Sequence, residues 1–149
     1  MQEQILIERP FSRLLRFQMG RTSERPRVLL VAPISGMRSM ILRDMILAML
    51  PGHEVHCLIW RNAAEVPVEC GPFGLDDNIA DVVETLGCLG EGNHVIGLCQ
   101  SALPVLVAAA ILAGTPTQPI FSDTPRKISR SPRLRAPFRQ SGKEVKDEF

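Results

Sequence analysis

The sequence predicts an α/β protein built on a parallel sheet, and three observations carry that prediction. Apolar runs of strand length, at 27–32, Glu54–Trp60 and 95–98, alternate with longer segments whose apolar residues recur at helical spacing. The first of these runs is apolar without interruption, as in a parallel strand covered on both faces. The turn after the last run has the residue pattern of a nucleophile elbow, a sharp strand-to-helix turn that presents a reactive side chain.

Composition narrows the class. A chain of 149 residues, 45% hydrophobic and 22% charged, fits one globular domain that buries most of its surface. A net charge of +1 argues against nucleic acid as the main partner. The four cysteines, Cys57, Cys70, Cys88 and Cys99, form no C-x-x-C pair, so neither a zinc ribbon nor a thioredoxin motif is present. Glu3 and Glu8 interrupt the N-terminal apolar residues, and no secretory h-region follows. The longest apolar stretch, Ala102–Ala113, is well short of the roughly 20 residues of a membrane span. The expectation is a cytoplasmic protein with reduced thiols, no membrane span, no metal and no cofactor.

Residues 1–26 mix Ile5, Leu6, Ile7, Phe11, Leu14, Leu15 and Phe17 with Arg9, Arg13, Arg16 and Arg21. They are expected to form a lead-in of short strands whose arginines face water, the alternative being a segment for a membrane or polymer surface. The core is expected over 27–114. Its first strand, 27–32, runs into a tight Pro33-Ile34-Ser35-Gly36-Met37 loop, and Ser39 is placed to cap a helix over 40–50. Ile41, Leu42, Met45, Ile46, Met49 and Leu50 give that helix a broad apolar face, and Pro51-Gly52 ends it.

The second strand is Glu54–Trp60, followed by a long loop over 61–74 with Pro67, Gly71, Pro72 and Gly74. Asp76 and Asp77 open a helix over 77–89, where early carboxylates suit the positive helix end, and Ile79, Val82, Val83 and Leu86 mark its apolar side. The glycines at 87, 90 and 92 follow a helix instead of a strand, so they are no dinucleotide fingerprint. From Thr115 the apolar periodicity is lost. Residues 115–149 hold five prolines and eight Lys or Arg, which predicts a solvated, basic, disordered tail.

The elbow is the chemically informative stretch. Cys99 has Gly97 two residues before it and Ser101 two residues after, the G-x-S-x-G pattern with Cys as nucleophile and Ser for the second Gly. A turn that sharp crowds its neighbours and needs small residues at both places. The helix over 104–113 follows, with Pro104 in the first turn, where its missing N–H costs nothing. A thiol beside a helix N-terminus is favoured as thiolate. The other reading of Cys99 is a buried structural cysteine in a βα unit.

The ordered set 28–36, 71–77 and 95–106, with the strand ending in Trp60 between them, resembles the intracellular polyhydroxyalkanoate (polyhydroxybutyrate) depolymerases over about residues 10–119. That resemblance implies an α/β-hydrolase with a Cys-Asp-His triad acting on polyester granules or hydroxybutyrate oligomers. It implies that Cys99 attacks the ester carbonyl. The backbone N–H of Gln100 and one from the Ser35–Gly36 loop would then hold the oxyanion. Three positions depart from the family: Met37 stands where a His is usual, Ile59 where an Asp is usual, and no acid and base follow the nucleophile on strands.

No His follows Cys99. His94 lies five residues upstream on the same strand, roughly 16 Å away at about 3.3 Å per residue. His53 and His56 start the neighbouring strand, near the other end of a parallel sheet, and on a strand they point to opposite faces, which rules out a metal pair. Asp123 and Asp147 fall in the tail. The triad Asp and His are therefore absent from this chain. The expectation is a fold truncated after the elbow helix, weakly active or inactive, with an unpaired edge at its last strand. The alternatives are a non-catalytic α/β module that binds polyester granules, and another α/β-hydrolase completed by a partner chain.

Overall fold

A computed structural model describes residues 2–19, 25–35 and 40–114. Gly36, Met37, the Ser39 cap, the tail over 115–149 with Asp123 and Asp147, and the loss of periodicity near 114–119 all lie outside the described residues.

The protein is a mixed α/β fold with one five-stranded sheet and three helices. In chain order these are β1 (Gln2–Glu8), β2 (Ser12–Gln18), β3 (Arg27–Val31), α1 (Met40–Met49), β4 (Glu54–Trp60), α2 (Leu75–Leu89), β5 (Asn93–Gly97) and α3 (Ala102–Ala113). The strands lie side by side as β1-β2-β4-β3-β5. Only β4, β3 and β5 are parallel, whereas β1 and β2 form a hairpin that adds to β4 antiparallel, with Ser12 opposite Trp60. The expected parallel sheet is thus corrected to a mixed one. The cause is the turn at residues 9–11, which is too short for the crossover that a parallel pair requires.

The hairpin belongs to the core. Ile5, Ile7, Leu14, Leu15 and Phe17 are buried together with Val28–Val31 of β3. Of the four arginines expected to face water, Arg21 lies outside the described residues, and the other three do not simply face water. Arg9 meets Asp81 and Glu84, Arg13 pairs with Glu8, and Arg16 lies 2.8 Å from Glu54.

β3 lies between β4 and β5 and is buried from Val28 to Val31, as its unbroken apolar run predicts. β5 differs from the expected buried strand: Val95 and Ile96 are half-buried, because its outer side meets no strand among the described residues. α3 leaves Leu103, Leu106 and Ile111 exposed, although the helix is apolar on every side. No helix among the described residues is long and apolar enough to cross a membrane.

α2 starts at Leu75, two residues earlier than its carboxylates suggested. Gly74 caps it in extended backbone, and its N–H donates to Asp77 Oδ2 at 2.8 Å, so Asp77 is a capping residue. The buried side of α2 is also not the one the apolar residues marked. It carries Asn78, Asp81, Val82, Thr85 and Leu89, while Val83 and Leu86 are only partly covered. The polar members are tolerated because the hairpin supplies partners: Ser12 Oγ donates to Asp81 Oδ2 at 2.6 Å, and Arg9 donates to Thr85 Oγ1 at 3.0 Å.

The chain passes from β3 out to β4 and then back across β3 to β5. That reversal makes a topological switch point between the carboxyl ends of β3 and β5, the place where open α/β sheets bind ligands.

Candidate active site

Both halves of the sequence-predicted site emerge at that switch point. β3 and β5 pair in register, Val31 opposite Gly97, so the loop after β3 and the turn after β5 leave the sheet side by side. Ser35 lies in the first, exposed, and Cys99 and Gln100 open the second.

The elbow is held by its backbone. The Leu98 N–H donates to the Val31 carbonyl at 3.1 Å, extending the ladder one residue beyond β5. Cys99 then turns to φ 54°, and among the described residues it is the only non-glycine with positive φ. That conformation costs an L-residue of this kind about 1–2 kcal/mol and marks a side chain held against its preference. A 3₁₀ turn over Cys99–Ser101 follows, closed by the Ser101 N–H on the Leu98 carbonyl at 3.1 Å, and α3 begins at Ala102. The thiol is free and exposed. It is not the buried structural cysteine of the alternative reading.

The flanking small residues do different work. A Cβ on Gly97 would stand 2.7 Å from the Ser101 carbonyl oxygen and 2.9 Å from the Ala102 Cα, so this position needs Gly for the close approach of backbone. Ser101 is buried, and its hydroxyl donates to the Ala32 carbonyl at the end of β3. The second glycine of the pattern is thus replaced by a residue that ties the elbow to the next strand.

Gln100 lies in the first turn, where helical geometry leaves amides without intrahelical partners, and the loop after β3 starts from the neighbouring strand end. In a nucleophile elbow the oxyanion is held by the amide after the nucleophile and one from a neighbouring loop, the two segments that Gln100 and Ser35 occupy here. Gly36, the other residue assigned to that loop, lies outside the described residues.

The histidines are placed elsewhere. His56 lies opposite Leu29, which lies opposite Val95, so it is level with a point four residues before Cys99, roughly 13 Å along the strand. It is buried, and desolvation is the largest influence that lowers its pKa to about 4, so the ring is neutral. The nearby Glu54 carboxylate, 3.5 Å away, opposes the shift only in part. His94 pairs with Val28 at the start of β5, and His53 precedes β4 with Nδ1 3.3 Å from the Met49 carbonyl. None of the three reaches the thiol. No cluster of ligating side chains fit for a metal ion exists among the described residues.

Of the other cysteines, Cys57 is fully buried and desolvation pushes its thiol up to about 12, while partial burial raises that of Cys88. Asp81 and Glu84, held by Ser12 and Arg9, are both raised chiefly by burial.

Sequence reasoning missed a cleft two strands from the elbow. It has a volume of about 600 Å³ and lies at the carboxyl end of β4, walled by Phe11, Trp60, Phe73 and Ile34 with Arg61 at its side. The rings of Phe11 and Phe73 stack at 4.7 Å, and Trp60 tilts against Phe73 at 5.8 Å. Trp60 Nε1 donates to the Ala32 carbonyl at 2.7 Å, the same oxygen that receives the Ser101 hydroxyl. The only signal available in the sequence was the aromatic residue at each end of the 61–74 loop. Comparison with models of known protein families and with curated proteins gives no match in either case.

Proposed function

We propose that the chain carries the nucleophile half of a cysteine-dependent ester hydrolase of the polyhydroxyalkanoate depolymerase type, on an α/β-hydrolase-like sheet. The observation that carries this reading is Cys99: exposed, forced to φ 54°, and seated on a strand-to-helix turn at the switch point. In this reading the Cys99 thiolate adds to an ester carbonyl of a hydroxyalkanoate chain. The oxyanion is held by the Gln100 N–H and an amide of the Ser35–Gly36 loop, each such donor being worth about 2.7–4 kcal/mol. Collapse expels the alcohol end and leaves an acyl thioester, which water then hydrolyses.

A base is needed both to deprotonate the thiol and to activate that water, and none of the three histidines stands within reach. Acylation by an activated ester is therefore expected, with slow turnover, very roughly 10⁴-fold or more below an enzyme with its triad assembled. The outer edge of β5, which meets no strand among the described residues, and the exposed Leu103 and Leu106 of α3 support a half-site that further polypeptide, on this chain or a partner's, would complete. An apolar exposed helix also suits work at a granule surface.

The same missing base favours a second reading, a non-catalytic module that binds polyester granules. Alkylation with iodoacetamide near neutral pH, mapped by peptide, separates the two. A nucleophilic Cys99 labels much faster than Cys70 and Cys88, with Cys57 protected; equal slow labelling of the exposed thiols favours the binding module.

A further inference from the structure

The aromatic cleft at the carboxyl end of β4 has a chemistry of its own. Among the described residues that line it, ten are apolar or glycine and one, Arg61, is charged. The Arg61 backbone is fixed, its N–H donating to the Phe11 carbonyl at 2.8 Å. The residue is half-buried, and no described carboxylate pairs with it, in contrast to Arg9, Arg13 and Arg16. A single cationic residue among aromatic, aliphatic and proline lining residues fits a ligand with one negative charge and an apolar body. A phosphate would need more donors than this wall offers. The volume, about 600 Å³, lies in the usual range for small-molecule sites.

We infer that this cleft binds the free carboxylate end of a linear aliphatic chain, with Arg61 holding the carboxylate and Phe11, Trp60 and Phe73 covering the methylenes. The identity of that chain as an oligoester rests on the proposed ester chemistry; its binding rests on the cleft alone. Trp60 ends β4 and Cys99 follows β5, two strand spacings or roughly 10 Å apart, and the shared Ala32 carbonyl couples their positions. A chain anchored at Arg61 and running across the end of β3 presents an internal ester to Cys99, which gives attack near the acid end of an oligomer.

Trp60 is the single tryptophan of the chain, so intrinsic fluorescence reports the cleft directly. The full-length protein is titrated with hexanoate, methyl hexanoate and hexanol at neutral pH. A saturable change with hexanoate is expected, with the two neutral ligands needing roughly tenfold higher concentration. Arg61→Gln should bring the three midpoints together, and Arg61→Lys should keep part of the preference. Should Arg61→Gln fail to fold, the Lys variant decides alone, and equal midpoints in it count against the inference. Absence of saturation in the unaltered protein, or equal midpoints for hexanoate and its methyl ester, overturns it. Cys99→Ala should titrate like the unaltered protein; loss of hexanoate binding in that variant would place the ligand at the thiol and overturn the cleft site. An unreactive Cys99 with normal hexanoate binding would instead remove the ester chemistry and leave the site standing.

Discussion

Ser101 and Trp60 donate to one acceptor, the carbonyl of Ala32 at the end of β3. The turn that raises Cys99 and the wall of the aromatic cleft are thereby fixed to each other through a single oxygen. Ser101→Ala and Trp60→Phe each leave the carbonyl one donor, so each should cost about 1 kcal/mol of hydrogen-bond energy, with some packing loss added for Trp60. The double variant orphans a buried acceptor. It should exceed the sum of the singles by on the order of 1 kcal/mol in a denaturant double-mutant cycle, whereas strict additivity would deny that the two donors share it.

Gly97→Ala should disturb the elbow more than any other single methyl. The added Cβ meets backbone atoms at 2.7 and 2.9 Å, and backbone cannot swing aside as a side-chain tip can. A loss of roughly 2 kcal/mol in stability and slower Cys99 alkylation are expected. Unchanged alkylation would mean that the turn does not depend on this approach.

The φ of Cys99 makes a prediction of opposite sign. Cys99→Gly removes the Cβ that resists φ 54°, and should be more stable than Cys99→Ala by up to about 1 kcal/mol, the strain relieved less the extra chain entropy of glycine. Thermal melts of the two variants decide it.

How much of this was legible in the sequence depends on the range of the interactions. The strand-to-helix turn at Cys99 was legible because its constraint is local: Gly97, Cys99 and Ser101 lie within one turn. The burial of 28–31 was legible from an unbroken apolar run, and the Glu54–Trp60 strand from apolar residues broken only by Glu54 and His56. The mixed sheet was not, since the pairing of Ser12 with Trp60 joins residues far apart in sequence and hydropathy does not encode strand direction. The buried side of α2 was misjudged for the same reason. Asp81 and Thr85 look like a solvent face until Arg9 and Ser12, on the hairpin, are brought against them.

Burial of His56 sets an acid limit on stability. Its pKa of about 4 in the folded protein lies below the unfolded value near 6.5, so the unfolded chain binds the extra proton between them. Its contribution is fully present above pH 6.5 and is lost as pH falls through 4, on the order of 3 kcal/mol in all. Asp81 acts in the opposite sense: with its folded pKa raised, its contribution is present below the ordinary carboxylate value and lost as pH rises through the folded one. Denaturant melts across pH 4–7 should show a slope that His56→Leu flattens and Asp81→Asn steepens. A slope unaffected by His56→Leu would contradict the neutral buried ring.

The exposed apolar residues of α3, beside a β5 edge that no described strand covers, predict self-association. Leu106→Lys changes a residue that is 68% exposed, so stability should move by less than about 0.5 kcal/mol while light scattering of concentrated protein falls. A monodisperse unaltered protein would remove that hazard from the account.

The most direct test of the central claim is mass analysis after exposure to p-nitrophenyl butyrate near neutral pH. Cys99 as nucleophile predicts prompt release of about one equivalent of nitrophenolate, slow turnover thereafter, and a single butyryl group mapped to Cys99 and absent from Cys99→Ala. No adduct, or butyryl spread evenly over Cys70, Cys88 and Cys99, would contradict it.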